Sequence, residues 1–191
     1  MKNLKYFKSL LLVFLTIYAG HSFAQSEAQQ KAWEAYMTPG ENHKTLAKDV
    51  GSWKTEMSSF MEPGKPPVKS MGTAEVTMIM DGRYQQSVYK GDMMGMPFEG
   101  ISVVGYDNAK KAFVNSWVDN MGTGMMYMEG KWDKSGKTVT YLGTSVNPMT
   151  GKDMKVRQVL TFESDKSQYM EMYMTENGKE TKSMELRMTK M

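Results

Sequence analysis

The stretch GDMMGMPFEGISVVGYDNAKKAFVNSWVDNMGTG, residues 91–124, decides the fold. It repeats one pattern: a glycine-rich turn, a short run of alternating apolar and polar residues, and another turn. The runs FEGISVVGY (98–106) and KAFVNSWVD (111–119) are rich in β-branched and aromatic residues and too short for amphipathic helices, so they read as two neighbouring strands. Residues 107–111 join them at the length of a hairpin loop.

The pattern continues in both directions. Strands are expected at 52–61, 70–80, 83–90, 98–106, 112–119, 125–132, 138–145, 154–162, 169–175 and 181–189, joined by connectors rich in Gly, Pro, Asn and Asp. Asp81-Gly82 and Asn177-Gly178 are the strongest turn signals, because both central residues of a type I′ hairpin turn need φ > 0. Every link is short, whereas parallel pairing needs long crossovers, so the sheet is antiparallel and up-and-down. Laid flat, such a meander would expose two long edges, and closure into a barrel removes them. The expectation is therefore an all-β protein: an antiparallel up-and-down β-barrel of about ten strands at residues 52–191, behind a short helical segment at 25–51. A ring of that size is wider than an eight-stranded one, which leaves room for a ligand cavity.

Residues 1–24 read as a signal peptide. Lys2, Lys5 and Lys8 supply the positive start, LLLVFLTIYA (10–19) the apolar run, and Ser22-Phe23-Ala24 the small residues before a cut between Ala24 and Gln25. The apolar run is shorter than the roughly 20 residues of a spanning helix, and no cysteine near the cut could carry a lipid. The expected location is the bacterial periplasm or the medium, with no membrane insertion once the signal is removed. Beyond the cut, SEAQQKAWEAYM (26–37) reads as a helix capped by Ser26 and stopped by Pro39-Gly40, and a second helical piece spans 43–50.

Charge and cysteine content narrow the function classes. The three signal-peptide lysines account for the whole formal charge of +3, so the chain beyond the signal is neutral. Neither nucleic acid nor an anionic membrane surface has an electrostatic reason to bind it. Cysteine is absent, so an exported domain of this size must be held by its own core.

Gly51-Ser52-Trp53, between the helical segment and the first strand, resembles the Gly-x-Trp opening of the calycins, the lipocalin and fatty-acid-binding barrels. In that group the Trp closes one barrel end beneath an Arg of the last strand, so the resemblance implies a barrel-closing set of Gly51, Trp53 and Arg187. A longer resemblance covers nearly the whole chain beyond the signal. The blocks PGENHKTLAKDVGSW (39–53), DGRY (81–84), the 91–124 stretch and TGKDMKVR (150–157) are similar to a bacterial family catalogued as domain of unknown function number 1579. That likeness implies an exported, calycin-like barrel and brings no activity, cofactor or binding residue with it.

Methionine is the compositional anomaly, with 22 residues and clusters at 93/94/96, 121/125/126/128 and 170/172/174. Soft thioethers in an exported protein could hold Cu(I), but alternate positions on one strand lie too far apart for one metal, and Met also fills irregular cores. His43 is the one histidine left beyond the signal, which leaves little material for a histidine zinc site, a haem ligand or a Ser-His-Asp triad; it reads as a surface or capping residue. No metal and no cofactor is expected. Charged and aromatic residues on the strands remain, and Tyr84, Glu99, Trp117, Asp119, Arg157 and Tyr173 are the candidate ligand-binding residues. An inward Arg beside a Tyr would hold the carboxylate of an apolar ligand, and an inward Glu with Tyr and Arg would suit acid–base chemistry. The expected function is binding of a small, largely apolar molecule inside the barrel, with a cofactor-free lyase or isomerase and a Met-rich copper-handling protein as alternatives.

Overall fold

The computed structural model of the chain describes residues 27–62 and 64–191. The expected signal peptide, the cut between Ala24 and Gln25 and the capping Ser26 lie outside the described residues. The chain divides into two compact units, Met1–Met37 and Thr38–Met191. In the first, helix α1 (Glu27–Met37) buries none of its side chains. It carries a Lys31–Glu27 ion pair one turn apart and a stack of Trp33 on Tyr36 with ring centroids at 5.5 Å. The second unit holds helix α2 and all ten strands, so the helical segment expected at 25–51 is split between the two units.

After α2 (Glu41–Ala47) come β1 (Gly51–Ser59), β2 (Val68–Ile79), β3 (Tyr84–Met93), β4 (Met96–Asp107), β5 (Ala112–Asp119), β6 (Met126–Trp132), β7 (Thr138–Val146), β8 (Asp153–Ser164), β9 (Ser167–Glu176) and β10 (Lys179–Lys190). Each strand pairs antiparallel with its sequence neighbours, and β1 also pairs with β10, which closes the barrel. Asn177-Gly178 forms the expected two-residue turn, with φ of 51° and 79° between the paired Glu176 and Lys179. Asp81-Gly82 does not. Met80 also takes a positive φ and the last pair is Ile79–Tyr84, so residues 80–83 make a longer turn. The connector read as a loop at 91–97 is instead strand almost throughout. Met93 pairs with Met96 across a Met94-Gly95 turn, and Asp92 Oδ1 accepts the Gly95 N–H at 2.7 Å.

Strand alternation sends one face of each strand inward. The main core cluster gathers Leu46 of α2 with Val104, Phe113, Met128, Val139, Tyr141 and Val156, and a second gathers Trp53, Ala74, Val76 and Met188. Several bulky inward side chains lie flat over a glycine of the neighbouring strand. A Cβ built on Gly100 would stand 2.5 Å from the Trp117 ring, and one on Gly130 2.5 Å from the Tyr141 ring. Cross-strand pairs of this kind let an aromatic hug the wall where any other residue would push it into the lumen.

Helix α2 and the turn after it close one end of the barrel through hydrogen bonds to several strands. Trp132 Nε1 donates to Asn42 Oδ1 at 2.9 Å, Gln85 Nε2 donates to the Leu46 carbonyl at 2.8 Å, and Trp53 Nε1 donates to the Asp49 carbonyl at 2.7 Å. His43 is buried. Its Nδ1 accepts the Gly40 N–H at 3.0 Å and its ring stands edge-on to Tyr106, so it does cap, from inside the protein and not from its surface. Burial also holds its pKa below the ordinary histidine value.

Trp53 is fully buried at this end, but its expected partner is elsewhere. Trp53 stands opposite Lys190 on β10, whose Nζ lies 5.6 Å from the indole and donates to the Lys48 carbonyl at 2.9 Å. Arg187 stands opposite Glu56 on the outer face, over the Tyr169 ring at 4.9 Å and bonded to Glu163 at 2.8 Å. Positions 187 and 190 are three apart, an odd step, and the period of two therefore puts these cations on opposite faces. Trp53→Ala is expected to cost about 3–5 kcal/mol, as large aromatic truncations in cores do. Arg187→Ala, which breaks an exposed pair, should cost about 1 kcal/mol or less. Urea unfolding of the two variants checks the contrast; equal losses would return Arg187 to the closing role.

Candidate functional site

Inside the barrel lies a cavity of about 70 Å³. Its wall is largely apolar, with Leu46, Trp53, Phe113, Leu160, Met170 and Leu186 among its residues. Uncharged polar side chains from β3, β4, β5, β7, β8 and β9 face it: Gln85, Ser87, Tyr89, Ser102, Asn115, Tyr141, Gln158 and Gln168. Gln85, Ser87, Ser102, Asn115 and Gln168 are buried, and Ser102 Oγ donates to Asn115 Oδ1 at 2.9 Å. Filling these positions for stability alone would favour apolar residues, since burying amides and hydroxyls costs free energy wherever partners are incomplete.

One carboxyl joins this wall. Asp49, between α2 and β1, accepts a hydrogen bond from Gln85 Nε2 at 3.2 Å. Burial raises its pKa above the ordinary aspartate value; hydrogen bonds from Gln85 and Gln168 and the charge of Lys190 oppose that shift, and Asp165 adds to it. Burial likewise pushes the Tyr89 phenol up to about 12 and raises Tyr141, with the Asp49 charge a further cause in both. Both phenols are therefore neutral donors at physiological pH. Tyr89 meets the cavity on one side and packs on Trp117 on the other, with ring centroids 5.4 Å apart.

The six candidate residues end in different places. Trp117 and Asp119 share the inward face, as their spacing requires. They form a closed pair beyond the cavity: Trp117 Nε1 donates to Asp119 Oδ2 at 2.7 Å, and Asp119 Oδ1 accepts the Met121 N–H. Trp117 packs on Phe98 as well as Tyr89 and does not line the cavity. Tyr84 lies on the outer face against Gly105, and Glu99 is exposed opposite Lys90. Arg157 and Tyr173 also face outward, stacked at 4.0 Å, with Arg157 paired to Glu180. None of the six lines the cavity. The parity of β3 carried the usable signal: Gln85, Ser87 and Tyr89 alternate with Tyr84, Gln86 and Val88, so the polar set is the inner one. Charged residues drew the eye toward chemistry, while the interior is built of amides and hydroxyls.

The methionine rows do face inward. Met170, Met172 and Met174 share a face of β9, and Met184, Leu186 and Met188 face them on β10, with a register shift between Lys182 and Met184. Met170, Leu186 and Met188 reach the cavity. Among the described residues no group of three His, Cys, Asp or Glu could hold a metal ion.

Fold and site together define a small closed antiparallel barrel with a polar-belted cavity. The chain belongs to the family described as protein of unknown function (DUF1579), whose model matches residues 38–190. No curated protein matches it in sequence. Among solved structures it is similar to Rv2717c from M. tuberculosis, at 10% identity and a TM-score of 0.59, over 81% of this chain and 99% of that one. It is also similar to a redesigned beta barrel at 14% identity and a TM-score of 0.42, over 76% of this chain and 94% of that one. The first likeness, at such low identity, speaks for the barrel fold alone.

Asp49 makes stability depend on pH. Its folded pKa lies above its unfolded value, so the stability it contributes is complete below the unfolded pKa and is lost as pH rises through the folded one. Asp49→Asn should match the parent in acid and become the more stable protein toward neutral pH. Chemical denaturation across that range checks this, and parallel profiles would contradict it.

Proposed function

We propose that the barrel binds a small molecule with a largely apolar body and one hydrogen-bonding end. The observation that carries this reading is the convergence of uncharged polar side chains from six strands, most of them buried, on a space of about 70 Å³ inside the barrel. That volume takes on the order of five waters, or a ligand of about that many non-hydrogen atoms, which suits neither a long acyl chain nor haem. The apolar wall favours the ligand's body, and amides and phenols with both donors and acceptors favour its polar end. Arg157 and Arg187 lie outside and Arg83 sits in the exposed turn beside Asp81, so the arginine–carboxylate grip expected of an apolar acid has no support. Export to the periplasm or medium rests on the signal-like residues 1–24 alone.

A second reading has one observation in its favour: a cavity carboxyl of raised pKa, Asp49, beside the phenols of Tyr89 and Tyr141. Such a set suits proton transfer without a cofactor. The inward Met128, Met172 and Met188 support packing over copper handling, since they sit in clusters of carbon and aromatic neighbours.

Native mass spectrometry of protein purified from its own host tests the binding reading. The expected result is a bound mass of a small molecule that disappears in Gln85→Leu and Gln168→Leu variants that remain folded. Bound compound retained by both variants would place binding outside the cavity and contradict the proposal. Conversion of the released compound on incubation would favour the proton-transfer reading.

A further inference from the structure

We infer that the polar end of the ligand is a protonated amine, held by the Asp49 carboxylate among the aromatic rings of the cavity. This rests on the binding reading above and adds the sign of the charge. Asp49 is the one carboxyl in the cavity wall among the described residues, and no Arg, Lys or His lines it. Gln85 Nε2 donates to Asp49 Oδ2 at 3.2 Å, and an ionised carboxylate keeps further acceptor sites for the N–H groups of a ligand. Charge-assisted hydrogen bonds of that kind are the stronger class.

The rest of the wall suits a cation. Trp53, Tyr89, Phe113 and Tyr141 line the same space, and aromatic faces attract ammonium groups. The carboxylate already accepts from the uncharged amides of Gln85 and Gln168, and the charge of Lys190 favours its ionised form, but among the described residues no cation forms an ion pair with it. Lys190, on β10, is committed to the Lys48 carbonyl and the Trp53 ring at the closed end, and Asp165, in the β8–β9 turn, repels it. Tyr89 on β3 and Tyr141 on β7 are neutral and offer donors or acceptors only. Holding a carboxylate in an apolar wall without a cation beside it is costly even when amides donate to it, and a ligand cation reduces that cost, whereas a ligand carboxylate would add to it.

Butylamine, 1-butanol and butyrate share an unbranched four-carbon skeleton, of a size the cavity admits, and differ in charge. Their affinities for the protein, measured by ligand-observed NMR with the inward methyl groups as reporters, test the inference. Butylamine should bind tightest and butyrate weakest. Butylamine stays protonated below about pH 10, so its binding should strengthen from acid toward neutral pH as Asp49 ionises. Asp49→Asn should weaken butylamine about ten- to a hundredfold, the range of a hydrogen bond to a charged group, and leave 1-butanol nearly unchanged. Asp49→Glu should keep part of the preference. Butyrate binding as tightly as butylamine, or three equal affinities, overturns the amine assignment and leaves the binding reading standing. No cavity binding by any of the three overturns both. The comparison of the three compounds on the parent protein is decisive even where a variant fails to fold.

Discussion

A ring of ten strands, each bonded to two neighbours, has no free edge, and its closure fixes what every alternate side chain must do. The inward positions have to fill a lumen wider than that of an eight-stranded barrel. This chain solves the problem with Trp117 and Tyr141 laid over Gly100 and Gly130, with methionine rows on β9 and β10, and with Leu46 of α2 inserted at one end. The aromatics lie along the wall because the glycines give way. What remains is a small cavity with Trp53 and Leu46 of α2 in its wall and Tyr89 between it and the Trp117 ring.

Closure also sorts the charges. Formal charges gather on the outer face of β8, β9 and β10, where Arg157 pairs with Glu180, Arg187 with Glu163, and Lys182 with both Glu171 and Glu185, Arg157 lying over the Tyr173 ring and Arg187 over the Tyr169 ring. Each such pair is worth little on a solvated face. The cavity wall keeps hydrogen-bonding capacity without charge, save for Asp49 where α2 meets β1. A single carboxyl at the end of an amide-lined space sets the electrostatic character of whatever enters it.

The architecture was legible because period-two alternation and short, turn-rich links admit few arrangements. Ten strands, antiparallel order and closure follow from that pattern, and the buried Trp53 from the Gly-x-Trp resemblance. Which face of each strand points inward was harder to read. Tyr84, Arg157 and Tyr173 fall on the outer face because their parity is set by neighbours such as Gln85, Val156 and Met172, and a one-residue difference reverses every assignment on a strand. Arg187 missed Trp53 for the same reason, and Lys190 took its place. The cavity amides carry no motif. Gln and Asn are common on solvated faces, and only the closed ring turns them into a wall.

The central claim is that this polar wall is where a small molecule sits, and side-chain amide resonances report on it directly. In a titration with 1-butanol or butylamine, the NH₂ signals of Gln85, Asn115, Gln158 and Gln168 should shift together on one binding curve, while those of the exposed Asn120 and Asn177 stay fixed. Shifts confined to the exposed amides, with the four interior ones unmoved, would contradict the account.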